Sequence, residues 1–143
     1  MSNSILTARS VVYPWHCDHM GHMNVMWYVG KFDEATWHLF GLLGLTPTFF
    51  RENDRGMAAV HQEITYKREL YAGNIISISS AILEVKEKVI RFTHEMYNEE
   101  TKELAAVTIL TAVYLDTRVR KSCPLPADIR ERAQAMVDDG KSY

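Results

Sequence analysis

An α+β fold, with an antiparallel sheet packed on one long helix, is what this sequence predicts. Three observations predict it. Residues Tyr28, Phe32, Ala35, Leu39 and Leu43 recur at spacings of three or four, which places them on one helix face. Four strand-like segments then follow, joined by short turns. Strands connected in this way after a single central helix pair antiparallel and bury one face on it. One helix cannot cover a whole sheet, so the edge or face left bare predicts a dimer.

The 143 residues are read as one domain over 1–143, long enough for a core without disulfides or metals. Charged residues make up 24% and the net charge is −2, with no block of one sign, which excludes an ordinary nucleic-acid binder. No apolar run reaches membrane length. The stretch Met1 to Arg9 lacks a secretory apolar core, and Cys17 and Cys123 form no disulfide framework, so a cytoplasmic protein is expected.

In chain order, Ser10 to Trp15 reads as a short strand stopped near Pro14. The turn Trp15-His16-Cys17-Asp18-His19-Met20-Gly21-His22-Met23-Asn24 leads into the helix, with Lys31, Asp33, Glu34 and His38 on its outer side. Gly41 and Gly44 can end the helix and Pro47 prevents its resumption. Thr46 to Gly56 reads as a connecting loop. Strands are expected over Met57 to Tyr71, Ile75 to Val85, Val89 to Tyr97 and Leu104 to Leu115. The polar turns between them are Tyr71 to Asn74, Lys86 to Lys88 and Asn98 to Lys102. Pro126 suits the first turn of a closing helix, Ala127 to Val137, and Gly140 to Tyr143 reads as a frayed end. The result is five strands, one long helix and a C-terminal helix.

The polar residues collect just ahead of the long helix. Unpaired N–H groups at a helix start carry about half an elementary charge, a place for a developing oxyanion. Asp18 lies in the glycine-containing turn beside it. A carboxylate of ordinary pKa about 3.9 is ionised at neutral pH, and next to an oxyanion site it can hydrolyse an acyl group. The structural alternative is a turn or helix cap. The Val25 amide is the candidate oxyanion donor, with Asn24 capping the helix. His22 can supply or accept a proton or orient a substrate, or simply bond the turn backbone. His16, Cys17, Asp18, His19 and His22 match no spacing of zinc ligands, so no metal is assigned. Cys17 reads as a structural cysteine: its neighbour His16 points to the opposite side of an extended stretch.

The run Asp18-His19-Met20-Gly21-His22-Met23-Asn24, followed by Tyr28, resembles the hotdog-fold acyl-CoA thioesterases of the 4-hydroxybenzoyl-CoA thioesterase type. Their pattern is an Asp, two variable residues, a Gly, often His-x-Asn, then a Tyr on the helix. Tyr66 to Asn74, Val107 to Asp116 and Pro124-Leu125-Pro126 match in the same order. Two departures stand out. His16 replaces an acidic residue that many members carry two positions before the Asp, and Val25 replaces a second Asn.

The resemblance implies a hotdog fold, its sheet curled around the helix and two subunits joined edge to edge, with dimers often forming tetramers. It implies hydrolysis of an acyl-CoA, with Asp18 as nucleophile or base and the Val25 amide as oxyanion donor; His22 remains a candidate third catalytic residue on its own chemistry. Gly21, Met23, Asn24, Tyr28 and His61 are the candidate substrate residues: His61 either lines the pocket from the neighbouring subunit or is an exposed strand histidine, and Trp27, Met23 and Tyr28 either wall the acyl pocket or pack in the core. Lys86 and Lys88 are implied at the coenzyme A phosphates; a solvated turn is their structural alternative. No separate cofactor is implied. A hotdog hydratase or dehydratase and a non-catalytic acyl-thioester binder are the competing functions.

Overall fold

The order of elements follows from where the central helix starts and stops. In the computed structural model, which describes residues 3–138 and residue 140, α1 spans Val25–Leu43. Asn24 opens it: the Asn24 Oδ1 accepts from the Met26 amide at 3.0 Å. Gly44 closes it with φ 92°, a left-handed conformation that glycine adopts without strain. The predicted stripe is the buried one: Tyr28, Phe32, Ala35, Leu39 and Leu43 are each at most 4% exposed.

Around α1 lie β1 (Ile5–Val11), β2 (Arg55–Tyr66), β3 (Ile75–Val85), β4 (Val89–Asn98), β5 (Leu104–Asp116) and β6 (Lys121–Ser122). They form one antiparallel sheet in the order β1-β3-β4-β5-β2, with β6 on β5. The sheet curled on a long helix is the hotdog arrangement. Strands β4 and β5 lie inside the sheet, with unbroken buried runs over Phe92 to Met96 and Ala105 to Thr108. Strand β2 is an edge, and all twelve of its residues are exposed or half-buried. A β-bulge interrupts its pairing with β5 between Ala59 and His61, leaving Val60 out of register.

Several sequence expectations need correction. The first strand runs over Ile5–Val11 rather than from Ser10 to Trp15; its alternation is hidden by a bulge between Leu6 and Ala8. Residues Pro14–His16 form a 3-10 turn instead. The expected loop after α1 contains a helix, α2 (Pro47–Asn53), started by Thr46, whose Oγ1 accepts from the Phe49 amide at 3.1 Å. The sheet has a sixth strand of two residues, β6, beyond the five expected. The closing helix, α3, spans Ala127–Ala135. Of the frayed end expected over 140–143, residues 141–143 lie outside the described residues, as do Met1 and Ser2.

Lys31 is also corrected. It does not sit on an outer face but is 5% exposed, donating to Ser10 Oγ at 2.6 Å and to the Val11 carbonyl at 3.4 Å. The flank of α1 meets the end of β1 there, and the long side chain is trapped between them; burial lowers its pKa.

Buried apolar residues fall in two clusters. One joins Leu39, Leu43, Ile82, Phe92, Leu110 and Ile129 at the C-terminal end of α1. The other joins Met23, Tyr28, Phe32, Leu70, Ile76 and Met96 at its N-terminal end, directly beneath the polar turn. Between α1 and the sheet sits His94, fully buried, with Nε2 2.8 Å from Thr36 Oγ1 and Nδ1 2.5 Å from Ser80 Oγ. Ser80 Oγ is in turn 2.7 Å from Thr7 Oγ1, so one polar chain ties β1, β3, β4 and α1 together.

Candidate active site

The turn before α1 is shaped by a few backbone bonds. Gly21 donates its amide to the Asp18 carbonyl at 3.0 Å, closing a tight turn. Gly21 has φ 88°, so a side chain there would be strained. The Asp18 amide donates to the His22 carbonyl at 3.1 Å, and an isolated bridge pairs Cys17 with Met23. Met23, 1% exposed, donates to the Leu70 carbonyl at 2.7 Å, which fixes the turn to the segment that follows β2.

Asp18 is half-buried and held from two sides. Its Oδ2 accepts from Asn24 Nδ2 at 2.8 Å, and its Oδ1 accepts from the Met20 amide at 2.9 Å. These bonds, the Asn24 one first, hold the carboxyl below the usual carboxylate range, and the His22 and His19 imidazoles add to the effect. Asn24 therefore serves the helix with one atom and Asp18 with another. At the helix start, Met26 is capped by Asn24 Oδ1 and Trp27 donates to the Asn24 carbonyl at 3.0 Å. The Val25 amide has no acceptor among the described residues.

Beside this start opens a mostly apolar cleft of about 270 Å³. The lining brings His22, Met23, Val25 and Tyr28 together with Tyr66 and the segment 67–69. Tyr28 meets the Tyr66 ring edge-on at 5.1 Å, and its hydroxyl donates to the Arg68 carbonyl at 3.3 Å. Burial, then the Tyr66 and Glu69 neighbours, pushes the Tyr28 phenol up to about 12, so it stays protonated. His22 lies between two acceptors, with Nδ1 3.4 Å from the Met23 carbonyl and Nε2 3.7 Å from Glu69 Oε1.

Not every expected residue arrives. His61 lies on exposed β2 opposite Thr111, 3.7 Å from Glu63, outside the cleft. Lys86 and Lys88 sit in the β3–β4 turn, where the Lys88 carbonyl accepts from the Tyr114 amide at 2.9 Å. Tyr66, at the cleft, pairs with Ala106. Eight residues of β5, roughly 26 Å at about 3.3 Å each, separate the two ends. Trp27 does not line the cleft; its ring packs at a tilt of 44° on the buried His16 ring, centroids 4.4 Å apart. Cys17 Sγ faces the Tyr13 carbonyl at 3.8 Å while His16 Nδ1 accepts from the Tyr13 amide at 3.0 Å, so the two side chains do not meet. Among the described residues no three His, Cys, Asp or Glu side chains converge as metal ligands, and no helix is long and apolar enough to cross a membrane.

Sequence reasoning assigned no role to Tyr66, Lys67, Arg68 and Glu69, which form a whole wall of the cleft. The available signal was a polar, aromatic-led run directly after an exposed strand.

Comparisons bear on this geometry. No curated protein matches the chain. The Staphylococcus aureus protein SAV2348, solved in complex with CoA, superposes with a TM-score of 0.88 at 16% identity, over 100% of this chain and 91% of that one. The 1,4-dihydroxy-2-naphthoyl-CoA thioesterase Slr0204 from Synechocystis gives 0.81 at 17% identity, over 92% and 96%. YbaW, a probable thioesterase from Escherichia coli, gives 0.78 at 20% identity, over 94% and 100%. At these identities the likeness shows the fold. The family is shown by a model of the thioesterase-like superfamily that matches residues 12–133, most of the chain including the Asp18 turn, α1 and the whole cleft wall, and the chain belongs to that superfamily.

Proposed function

We propose that this chain is a cytoplasmic acyl-CoA thioesterase of the 4-hydroxybenzoyl-CoA thioesterase type, hydrolysing the thioester to free acid and CoA and working as a homodimer. One observation carries the reading. The Asp18 carboxylate is bound by Asn24, the residue that caps α1, and the next residue, Val25, carries an open amide and lines the apolar cleft.

The chemistry follows from those positions. The Asp18 carboxylate attacks the thioester carbonyl carbon, or takes a proton from a water that does. Negative charge collects on the carbonyl oxygen, where the Val25 amide donates. The C–S bond breaks and the thiolate leaves with its electron pair, to be protonated by solvent or His22. On the covalent route, water then opens the mixed anhydride and restores Asp18. Met23, Tyr28 and Tyr66 hold the acyl group, while Gly21 and Asn24 keep the turn in shape. The CoA seen with SAV2348 supports coenzyme A as the carrier.

The dimer has its own support. β2 is a long, exposed edge with Val60 and Tyr66 uncovered. Antiparallel pairing of β2 with its copy would carry Lys86 and Lys88 of the partner subunit, and His61 of the partner subunit, toward this cleft.

The test is release of free thiol from a panel of acyl-CoAs by the parent and by Asp18→Asn. The variant should bind ligand and lose hydrolysis. Turnover equal to the parent overturns the role of Asp18. A change in enoyl absorbance without thiol release points instead to a hydratase. Single turnover in labelled water separates the two routes, because only covalent attack places the label in Asp18.

A further inference from the structure

A second, larger cleft of about 560 Å³ adjoins the apolar one and shares Lys67, Arg68 and Glu69 with it. The shared segment is a rigid ledge. The Lys67 and Arg68 amides both donate to the Ala105 carbonyl, at 2.8 and 3.1 Å, Tyr28 bonds the Arg68 carbonyl, and Leu70 is fully buried. The backbone is pinned, while both cationic side chains stand exposed between the two clefts.

Counting committed and uncommitted groups shows what the larger cleft can receive. Three carboxylates line it, Glu69, Glu100 and Glu103. Two are engaged: Glu69 accepts from Tyr71 Oη at 2.5 Å and faces His22, and Glu103 takes Arg68 Nε at 3.0 Å. The donors remain largely free. Lys67 Nζ has no carboxylate within 4.0 Å among the described residues, and the terminal nitrogens of Arg68 have no partner there. Asn74 and Asn98 also line the cleft. Each has its Oδ1 fixed by backbone amides, at 2.8 Å from Tyr71 and 2.9 Å from Glu100, which leaves each Nδ2 as an oriented donor with no acceptor among the described residues. Glu69 and Glu100 keep their charge, but the unused donors outnumber the unused acceptors, and both cations stand at the end shared with the apolar cleft. The group that fits is an extended hydrogen-bond acceptor whose negative charge lies at Lys67 and Arg68.

We infer that Lys67 and Arg68 form a phosphate-binding ledge, on which the phosphates of a coenzyme A ester rest while its acyl end fills the apolar cleft. The inference rests on the hydrolytic reading above and adds to it. A ligand apolar at one end and anionic at the other matches two clefts joined at two cations. Cation–phosphate bonds of this kind are charge-assisted. The ledge lies in the same protomer as Asp18, unlike Lys86 and Lys88.

The experiment compares an acyl-CoA with the same acyl group on pantetheine, which has no phosphate, for the parent and for Lys67→Ala/Arg68→Ala. The preference in kcat/KM for the CoA ester should fall at least about tenfold in the double variant. It should be restored to within about threefold by Lys67→Arg/Arg68→Lys. An unchanged preference overturns the ledge. Calorimetric titration with CoA itself judges the ledge without any turnover. Binding at least about tenfold weaker in the double variant supports it, and equal binding, or none in the parent, overturns it. A parent that hydrolyses neither ester yet binds CoA through these residues overturns the hydrolytic reading alone.

Discussion

The carboxamide of Asn24 donates to Asp18 at 2.8 Å through Nδ2 and accepts from the Met26 amide at 3.0 Å through Oδ1. A helix cap and a carboxylate clamp are thus one side chain, and its two ends can be tested apart. Serine at position 24 keeps an oxygen for the cap but cannot donate to Asp18 as the amide does. The Asn24 bond is the largest cause holding the Asp18 carboxyl low. Asn24→Ser should therefore let that pKa rise and move the acid limb of the kcat/KM profile to higher pH. Asn24→Ala should show the same move and also lose about 1 kcal/mol of stability from the missing cap. An acid limb that stays in place in both variants shows that Asp18 does not set it.

Tyr28 separates a pocket wall from a proton donor. Its hydroxyl is occupied by the Arg68 carbonyl and its pKa stands at about 12, far above that of a leaving thiol. Tyr28→Phe should keep kcat within about threefold and cost about 0.5–1.5 kcal/mol of stability for the lost hydrogen bond. The measurements are steady-state kinetics and urea unfolding. A hundredfold fall in kcat would make Tyr28 a catalytic acid and contradict the wall assignment.

What could be read from the chain, and what could not, divides along physical lines. The stripe from Tyr28 to Leu43 was legible because burial against a sheet imposes a period that survives in the sequence. The turn from Asp18 to Asn24 was legible as a unit, since an acid, a glycine and a cap sit at fixed offsets. β1 was misplaced because its bulge breaks the alternation. α2 was hidden in a stretch rich in turn residues, although Thr46-Pro47 is a helix start. Lys31 was placed outside because charge alone does not reveal that a neighbouring strand end will supply Ser10 and a carbonyl. The ledge at Lys67 and Arg68 was invisible for a different reason: it exists only where the chain leaving β2 lies beside the start of β5 at Leu104 and Ala105.

The β2 edge gives a test of assembly. Val60 lies at the bulge and is 61% exposed. An exposed substitution changes folding stability by only about 0.5 kcal/mol. Val60→Asp should leave the melting temperature nearly unchanged, yet place two like charges together wherever β2 meets its copy. Light scattering should then show a monomer, and thiol release should fall at least about tenfold, because Lys86 and Lys88 of the partner subunit would be lost to the cleft. A dimer that persists with full activity places the interface elsewhere.

His94 predicts how the fold responds to acid. Its ring is fully buried between Phe32 and Phe92, and its nitrogens meet only hydroxyls, those of Thr36 and Ser80, with Thr7 beyond. Burial lowers its pKa from 6.5 to about 3. The unfolded chain binds a proton near pH 6.5 while the folded one refuses it, so the stabilisation is complete above pH 6.5 and is lost as pH falls toward 3. Between pH 7 and pH 5 the loss should be about 2 kcal/mol, at about 1.4 kcal/mol per pH unit over most of the range. His16, whose pKa burial also lowers, acts in the same direction. Urea unfolding at several pH values reads the slope. In His94→Gln the absolute stability changes with the packing, but most of the slope should vanish, since no proton is left to exclude. A slope equal to that of the parent would assign the acid sensitivity to other groups and leave the buried chain from Thr7 to Thr36 without a part in it.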